Sequence, residues 1–182
     1  FYKSLGIKII GAVEGDGRAE AGDTLWLDEK TLLIGRGFRT NQIGAKQVEE
    51  IISSMGIDVH VFDLPVYLGD AACLHLMSLI SLVDTRIALV CLPLLPVRLL
   101  ELLEIKGFKL IDAPYEEFKR SNTLSTNILA MAPGECLMLS GLPKTRNVLI
   151  RAGIKVEVFD GNELCIGCEG GPTCLTRPLL RN

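Results

Sequence analysis

Cys174 is the residue of this chain that is best suited to attack an electrophile. It follows the run Gly-Gly-Pro-Thr at residues 170–173, so we predict an exposed thiol where a loop meets a short apolar strand. A cysteine attacks as its thiolate, which needs a cationic or hydrogen-bonding neighbour such as an imidazolium. A buried and inert cysteine is the alternative, since free cysteines are among the most buried residues.

His75 is the candidate acid/base, because the chain has only two histidines. It lies in the apolar run 74–83, which we predict to be a strand, and an imidazole in such a run costs free energy unless it has a partner. A lone core histidine is the alternative. His60 alternates with valines and is predicted to lie on the solvated face of a strand.

Two acidic and two basic residues near the start of the chain could assist them. Glu20 and Asp23 lie three residues apart in Glu-Ala-Gly-Asp, where a polar turn is the plain alternative. Arg36 and Arg39 lie in a Gly-rich connection that leads to a helix. They suit a forked contact with a carboxylate, and an exposed charged loop is the alternative.

The pair Cys165 and Cys168 has the spacing of a zinc or redox site. A structural zinc site needs four ligands, and the chain has no second pair at matching spacing. We therefore predict neither a metal site nor a cofactor.

The composition favours a folded protein with a small, polar partner. The chain is 48% hydrophobic and 23% charged, and its net charge of −3 without a basic run argues against nucleic-acid binding. The apolar stretches 74–83 and 87–97 are separated by charged residues and fall short of the roughly 18 residues that span a bilayer. The first residues lack the basic start and the apolar core of a signal peptide, so we expect a fragment rather than a secreted precursor. Six cysteines fit the reduced thiols of the cytoplasm better than a disulfide framework.

Four glycines divide the chain into repeats that must position these side chains. Gly6, Gly56, Gly107 and Gly153 each follow a predicted helix and precede an alternating strand, and they lie about 50 residues apart. Glycine ends a helix readily because it adopts the left-handed conformation. A strand–strand–helix–strand unit cannot bury both faces alone, so the units are expected to stack around an axis in a radial α/β assembly.

The repeats predict the following elements and boundaries. The three strand–strand–helix runs are 24–27, 31–35 and 45–54; 74–83, 87–91 and 96–105; and 128–132, 135–139 and 144–152. We expect one domain over residues 1–182, with units at 7–56, 57–107 and 108–153 and a closing segment at 154–182. Residues 1–6 are predicted to be the end of a helix, so at least one unit is expected to be missing before them.

Four motifs, taken together, resemble the guanidino-group-modifying (pentein) superfamily of arginine deiminases, dimethylarginine dimethylaminohydrolases and amidinotransferases. They are Glu-Ala-Gly-Asp at 20–23, Arg-Thr-Asn at 39–41, Leu-His-Leu at 74–76 and Gly-Gly-Pro-Thr-Cys at 170–174. The resemblance spans nearly the whole chain. It implies an α/β propeller of five units.

The resemblance also implies roles for individual residues. Cys174 would attack the guanidinium carbon to give a covalent thiouronium intermediate. His75 would protonate the departing amine and then activate water, while Glu20 would hold the imidazole by a hydrogen bond. The implied substrate-binding residues, with Arg39 on the substrate carboxylate, are Asp23, Arg39 and Glu169.

Met77 departs from the pattern, because arginine deiminases and amidinotransferases generally carry an aspartate two residues after the histidine. The resemblance then implies a hydrolase that cleaves a C–N bond of a dimethylarginine or arginine-like compound, with Met77 near an alkylated nitrogen or a mere bystander. An amidinotransferase is one alternative. A noncatalytic protein of this fold, such as a ribosome anti-association factor, is another, but it does not explain the Cys, His and Glu. The missing units would supply a further substrate-binding acid, so the resemblance implies that the fragment alone is inactive. A homo-oligomer is left open.

Overall fold

A computed structural model describes residues 1–70, 74–168 and 170–176 of the chain. The chain divides into two compact units, Phe1–Leu76 and Met77–Asn182. Within the described ranges, no helix combines the length and the apolar character that a membrane crossing requires. The predicted single domain and its repeat boundaries stay predictions.

The first unit contains one sheet and one long helix. Short 3-10 turns lie at Tyr2–Leu5 and Ala21–Asp23, followed by β1 (Thr24–Asp28), β2 (Thr31–Arg36), α1 (Gln42–Ser53) and β3 (Asp58–Asp63). The central strand β2 pairs antiparallel with β1 and parallel with β3. Its residues from Thr31 to Gly35 are all buried, so both faces of this central strand are covered. Asn41 begins α1 by accepting the backbone N–H of Gly44 at 2.8 Å.

The second unit contains two further sheets with the same strand order. The elements are α2 (Leu76–Leu79, which starts on the last residue of the first unit), β4 (Ile80–Asp84), β5 (Ile87–Val90), α3 (Val97–Ile105), β6 (Lys109–Asp112), α4 (Tyr115–Arg120), β7 (Leu129–Ala132), β8 (Glu135–Leu139), α5 (Pro143–Arg151) and β9 (Lys155–Phe159). Short 3-10 turns lie at Leu92–Leu94 and Leu124–Thr126, and a π-helical turn lies at Asn162–Ile166. Met138, Leu149 and Val83 are fully buried in the core that joins these two sheets.

A strand–strand–helix–strand order therefore occurs three times along the described chain. In each sheet the middle strand pairs antiparallel with the preceding strand and parallel with the strand after the helix. The four predicted helix-ending glycines, Gly6, Gly56, Gly107 and Gly153, have φ between 73° and 92°. No heavy atom would crowd a Cβ at any of them, so the backbone conformation is what favours glycine there. The chain has a mixed α/β fold.

The predicted strand 74–83 is wrong in its first half. The segment forms the helical turn α2 before β4 begins at Ile80. An unbroken apolar run has no alternation that would distinguish a strand from a helical turn. Asp23 accepts the N–H of Leu76 at 3.0 Å, which occupies a backbone donor that a strand would have offered to a neighbouring strand.

Two other elements also differ from expectation. The strand predicted directly after Cys174 is absent at residues 175–176, the last two described. The helix α4 was not predicted, although it follows Pro114 and carries acidic residues in its first turn and basic residues in its last. These are favourable positions relative to the helix dipole.

The helix α4 supplies the N-terminal cap of α5. The residue at the cap position of α5 is Leu142, which has no side-chain acceptor. The buried carboxylate of Glu117 takes its place by accepting the backbone N–H groups of Lys144 at 3.0 Å and Thr145 at 2.8 Å. It also accepts the hydroxyl of Thr145 at 2.8 Å. These contacts satisfy amides at the start of α5 that no helical carbonyl can reach.

Candidate active site

In the first unit, the imidazole of His75 lies between two carboxylates. Its Nδ1 is 3.1 Å from Oδ1 of Asp23, and its Nε2 is 3.4 Å from Oε2 of Glu20. The side chain is 17% exposed, so the ring is reachable from solvent on one side. The alternative of a lone core histidine is wrong, because each ring nitrogen faces an acidic group.

Asp23 connects three segments of the first unit. Its side chain is 1% exposed, and Oδ1 faces both His75 and the N–H of Leu76. The other oxygen, Oδ2, accepts the hydroxyl of Thr40 at 2.6 Å. That hydroxyl in turn accepts the backbone N–H of Glu20 at 3.0 Å. A carboxylate with this many donors has a fixed orientation, so it can fix the ring beside it.

Gly22 lets the Glu-Ala-Gly-Asp turn approach the histidine. A Cβ at this position would lie 2.9 Å from Cγ of His75, which is closer than van der Waals contact permits. The glycine is therefore needed for its size, and the two acidic residues on either side of it reach opposite ends of the ring.

Arg39 contacts the outer carboxylate of this group. Its Nε donates to Oε1 of Glu20 at 2.7 Å, and its Nη2 lies 2.5 Å from the same oxygen. Glu20 therefore uses one oxygen for the guanidinium and directs the other to His75. The side chain of Glu20 is 37% exposed and that of Arg39 is 47% exposed. They line an open cleft of about 570 Å³ together with Arg18 and Phe38.

Arg36, the other arginine of the Gly-rich connection, is paired within the chain. Its Nη2 donates to Oδ2 of Asp63 at 2.7 Å and its Nε contacts Oδ1, which forms the forked geometry expected for this residue type. Its Nη1 donates to Gln42 at 2.7 Å. The carboxylate in this contact belongs to the chain itself.

His60 was predicted to lie on the solvated face of a strand. It lies on β3. Its Nε2 is 2.9 Å from Oδ2 of Asp58, its side chain is 28% exposed, and its ring stacks on Phe62. These contacts are confined to the strand surface.

In the second unit, Cys174 is exposed in the turn that follows the two glycines. The alternative of a buried cysteine is therefore wrong for this residue. The amide Nδ2 of Asn127 lies 3.2 Å from the sulfur. The amide oxygen of the same side chain accepts the N–H of Thr173 at 2.9 Å and its hydroxyl at 2.7 Å.

Among the described cysteines, three others are buried, which distinguishes them from Cys174. Burial raises the pKa of the Cys91 and Cys136 thiols to about 11. Burial also raises the pKa of Cys165, with nearby thiols adding to the effect. Cys168, its partner in the Cys-X-X-Cys pair, is exposed. Among the described residues, no three acidic, histidine or cysteine side chains are grouped as metal ligands would be.

Glu169, predicted to bind substrate, lies outside the described residues. The sequence had also given no role to Thr40 and Asn127, which contact candidate site residues. Thr40 belongs to the Arg-Thr-Asn motif, so its position offered a signal. Asn127 offered none, because its partners lie 46 and 47 residues further along the chain.

Comparison with known proteins identifies the family of the chain. The arginine deiminase family model matches residues 91–181, which is half of the chain. A dimethylarginine dimethylaminohydrolase of Pseudomonas aeruginosa is 26% identical over 164 residues, covering 90% of this chain and 57% of the relative. The chain thus spans less than two thirds of the length of this relative.

Solved structures agree with the sequence matches. A cysteine-to-serine variant of dimethylarginine dimethylaminohydrolase from Pseudomonas aeruginosa, complexed with citrulline, matches with a TM-score of 0.68 and 25% identity. The match covers 89% of this chain and 56% of that one. An amidinotransferase from Microseira wollei matches with a TM-score of 0.73 at 17% identity, covering 89% of this chain and 47% of that one, and so supports the fold alone. The chain belongs to the arginine deiminase family, within the guanidino-group-modifying superfamily.

Proposed function

We propose that this chain is the part of a hydrolase that cleaves a C–N bond of a guanidino compound. The observation that carries the proposal is the position of His75 between Glu20 and Asp23, at 3.4 and 3.1 Å. Two carboxylates directed at the two nitrogens of one imidazole fix its orientation, which an acid/base catalyst requires. The exposed thiol of Cys174 is the matching nucleophile.

In the proposed reaction the thiolate of Cys174 bonds to the guanidinium carbon. The C–N bond to the departing amine breaks as His75 gives that nitrogen a proton, which leaves a thiouronium intermediate. His75 then takes a proton from water, and the resulting hydroxide attacks the same carbon. The added hydroxyl group loses its proton to solvent, the C–S bond breaks to restore the thiolate, and a ureido product leaves. Glu20 holds the imidazole throughout these steps.

The substrate-binding roles rest on the motif positions. Arg39 would hold the substrate carboxylate, and its exposed guanidinium beside the cleft suits that task. The roles of Asp23 and Glu169 as substrate contacts stay predictions.

A methylated arginine is the proposed substrate class because Met77 follows His75 by two residues. Met77 has no carboxylate for unsubstituted guanidino nitrogens, while its thioether side chain tolerates an alkyl group. The relative from Pseudomonas aeruginosa is described as acting on a dimethylarginine. Transfer of the amidino group to an amine is the nearest rival reaction, and an added amine acceptor would reveal it by a new guanidino product.

The full-length protein provides the test. We expect incubation with dimethylarginine to release a ureido product and free amine, and Cys174→Ser to abolish both by removing the nucleophile. Cys168→Ser is the matched control, because Cys168 is also exposed but has no proposed role. Turnover that survives in Cys174→Ser would overturn the nucleophile assignment. Absence of turnover in the wild type over a panel of guanidines would favour the noncatalytic alternative.

We further infer that the three strand–strand–helix–strand units are part of a closed propeller of five units, in one cytoplasmic enzyme domain. Their common strand order supports this arrangement. The structure of the full-length protein tests it, since a closed ring requires two further units of the same order.

A further inference from the structure

Asn127 is a buried amide that contacts the candidate nucleophile. It is 6% exposed, and its Nδ2 donates toward Sγ of Cys174 at 3.2 Å. Its Oδ1 accepts both the backbone N–H and the hydroxyl of Thr173, at 2.9 and 2.7 Å. The side chain of Asn127 therefore contacts both the sulfur of Cys174 and the preceding residue, Thr173.

The contacts with Thr173 determine which way the amide faces. A backbone N–H can only donate, so the group that faces it must be the amide oxygen. A flipped amide would place two donors against each other. The NH₂ group of Asn127 therefore faces Cys174, and the sulfur receives an N–H donor.

The backbone that carries Asn127 is held by the core of the second unit. Two consecutive residues before it, Asn122 and Thr123, have φ of 49° and 69°. A left-handed conformation is unusual for a β-branched residue and costs free energy. Thr126 anchors the following turn, since its hydroxyl donates to the carbonyl of Ser78 at 2.5 Å. The hydroxyl of Ser81 donates to the carbonyl of Thr126 at 2.6 Å.

The loop that carries Cys174 is shaped to meet this amide. A Cβ on Gly171 would lie 2.3 Å from Cγ of Asn127, so only glycine permits the approach. The N–H of Cys174 donates to the carbonyl of Gly171 at 3.0 Å, which closes the turn. The close contact therefore depends on the position of Asn127 and on the glycine at position 171.

We propose that Asn127 is the positioning residue for the nucleophile Cys174. Its NH₂ group makes a charge-assisted hydrogen bond when the sulfur is a thiolate, which favours the reactive form. Its oxygen fixes the backbone of Thr173 and thereby the direction of the sulfur. The catalytic meaning rests on the proposed function, but the effect on the thiol does not.

Asn127→Asp tests the proposal in the full-length protein. Aspartate has the same shape and keeps an oxygen for Thr173, but it replaces the donor to sulfur with a negative charge. We expect alkylation of Cys174 by iodoacetamide to slow by about tenfold near neutral pH. We also expect its pH dependence to move upward by about one unit. Mass spectrometry of the modified peptides gives the rate for each cysteine, and exposed Cys168 is the reference within the same sample.

A second variant acts from the other side of the contact. Gly171→Ala pushes the loop away from Asn127 and should also slow the alkylation of Cys174. If Asn127→Asp does not fold, the alkylation rate of Gly171→Ala tests the role of Asn127 in its place. Thr173→Val removes one hydroxyl but leaves the donor to sulfur, so its pH dependence should stay close to the wild type.

Two outcomes separate this inference from the proposed enzyme activity. A folded Asn127→Asp protein whose Cys174 alkylates with the wild-type pH dependence would overturn the role of Asn127. If the alkylation shift is present while the wild type turns over no guanidine, the positioning contact stands and the proposed function fails.

Discussion

At the scale of single residues, Asp23 occupies a more central place than its motif suggests. Its buried carboxylate joins Thr40, the N–H of Leu76 and the ring of His75. Glu20 on the other side is partly exposed and shared with Arg39. The inner carboxylate is therefore the better fixed of the two that face the histidine.

The variant Asp23→Asn distinguishes two roles for Asp23, which are the predicted contact with substrate and an effect on catalysis through His75. We expect kcat to fall by about tenfold or more with little change in KM, since the substitution removes a charge beside the ring that carries the proton. Steady-state kinetics of the full-length enzyme provide the measurement. A large rise in KM at unchanged kcat would instead support the substrate contact.

At the scale of elements, the helix-ending glycines impose a conformational requirement on each repeat. Gly107 has a φ of 73° and open space around its Cα. Any side chain there would be strained by the backbone alone.

Gly107→Ala should lower the free energy of unfolding by about 1 to 2 kcal/mol because alanine disfavours the left-handed conformation. Gly107→Asn should cost less, since asparagine adopts this conformation more readily. Urea denaturation of both variants measures the difference. Equal stability of the alanine variant and the wild type would contradict this origin of the preference for glycine.

The cap of α5 makes stability depend on pH. Burial alone would raise the pKa of Glu117, but hydrogen bonds from Lys144 and Thr145 outweigh it and lower the pKa below its ordinary value of 4.5. A lowered native pKa contributes stability that is present above the unfolded value and is lost as pH falls through the native one.

Glu117→Gln should therefore destabilise the protein at neutral pH and weaken the loss of stability on acidification below about pH 4.5. Urea unfolding at neutral and acidic pH provides the comparison. Glu116→Gln is the control, because that neighbouring carboxylate is exposed and its ion pair with Lys119 lies at the surface, where such pairs contribute little. Parallel pH curves for the wild type and Glu117→Gln would show that the carboxylate contributes no pH dependence.

At the scale of the whole molecule, the repeat was visible in the sequence but the contacts across it were not. Helix-ending glycines are local signals, and they located three helices and most strands. The apolar run before Ile80 has no period, so α2 was missed. The contacts of Asn127 depend on a loop that returns after 46 residues, and a single sequence carries no record of such an approach.

Thiol protection provides a test of the folded molecule. Cys91 and Cys136 are buried with pKa values of about 11, so their thiolate fraction near neutral pH is lower by about a hundredfold than for an ordinary cysteine. We expect both to resist iodoacetamide in the native protein and to react in urea, as mass spectrometry of the peptides would show. Rapid native modification of either would indicate local opening.

The cap that Glu117 provides also limits how freely the repeats can be exchanged. The helix α1 is capped by Asn41 at its own start, whereas the acceptor for α5 comes from α4, which lies before the strand–strand–helix–strand run β7–β9. Grafting the unit β7–β9 onto another copy would leave the first amides of α5 without an acceptor and the buried carboxylate of Glu117 without its amide donors. Gene duplication can produce similar units, but the contact between Glu117 and α5 makes neighbouring segments specific to each other. Recombination would therefore have to move α4 and α5 together.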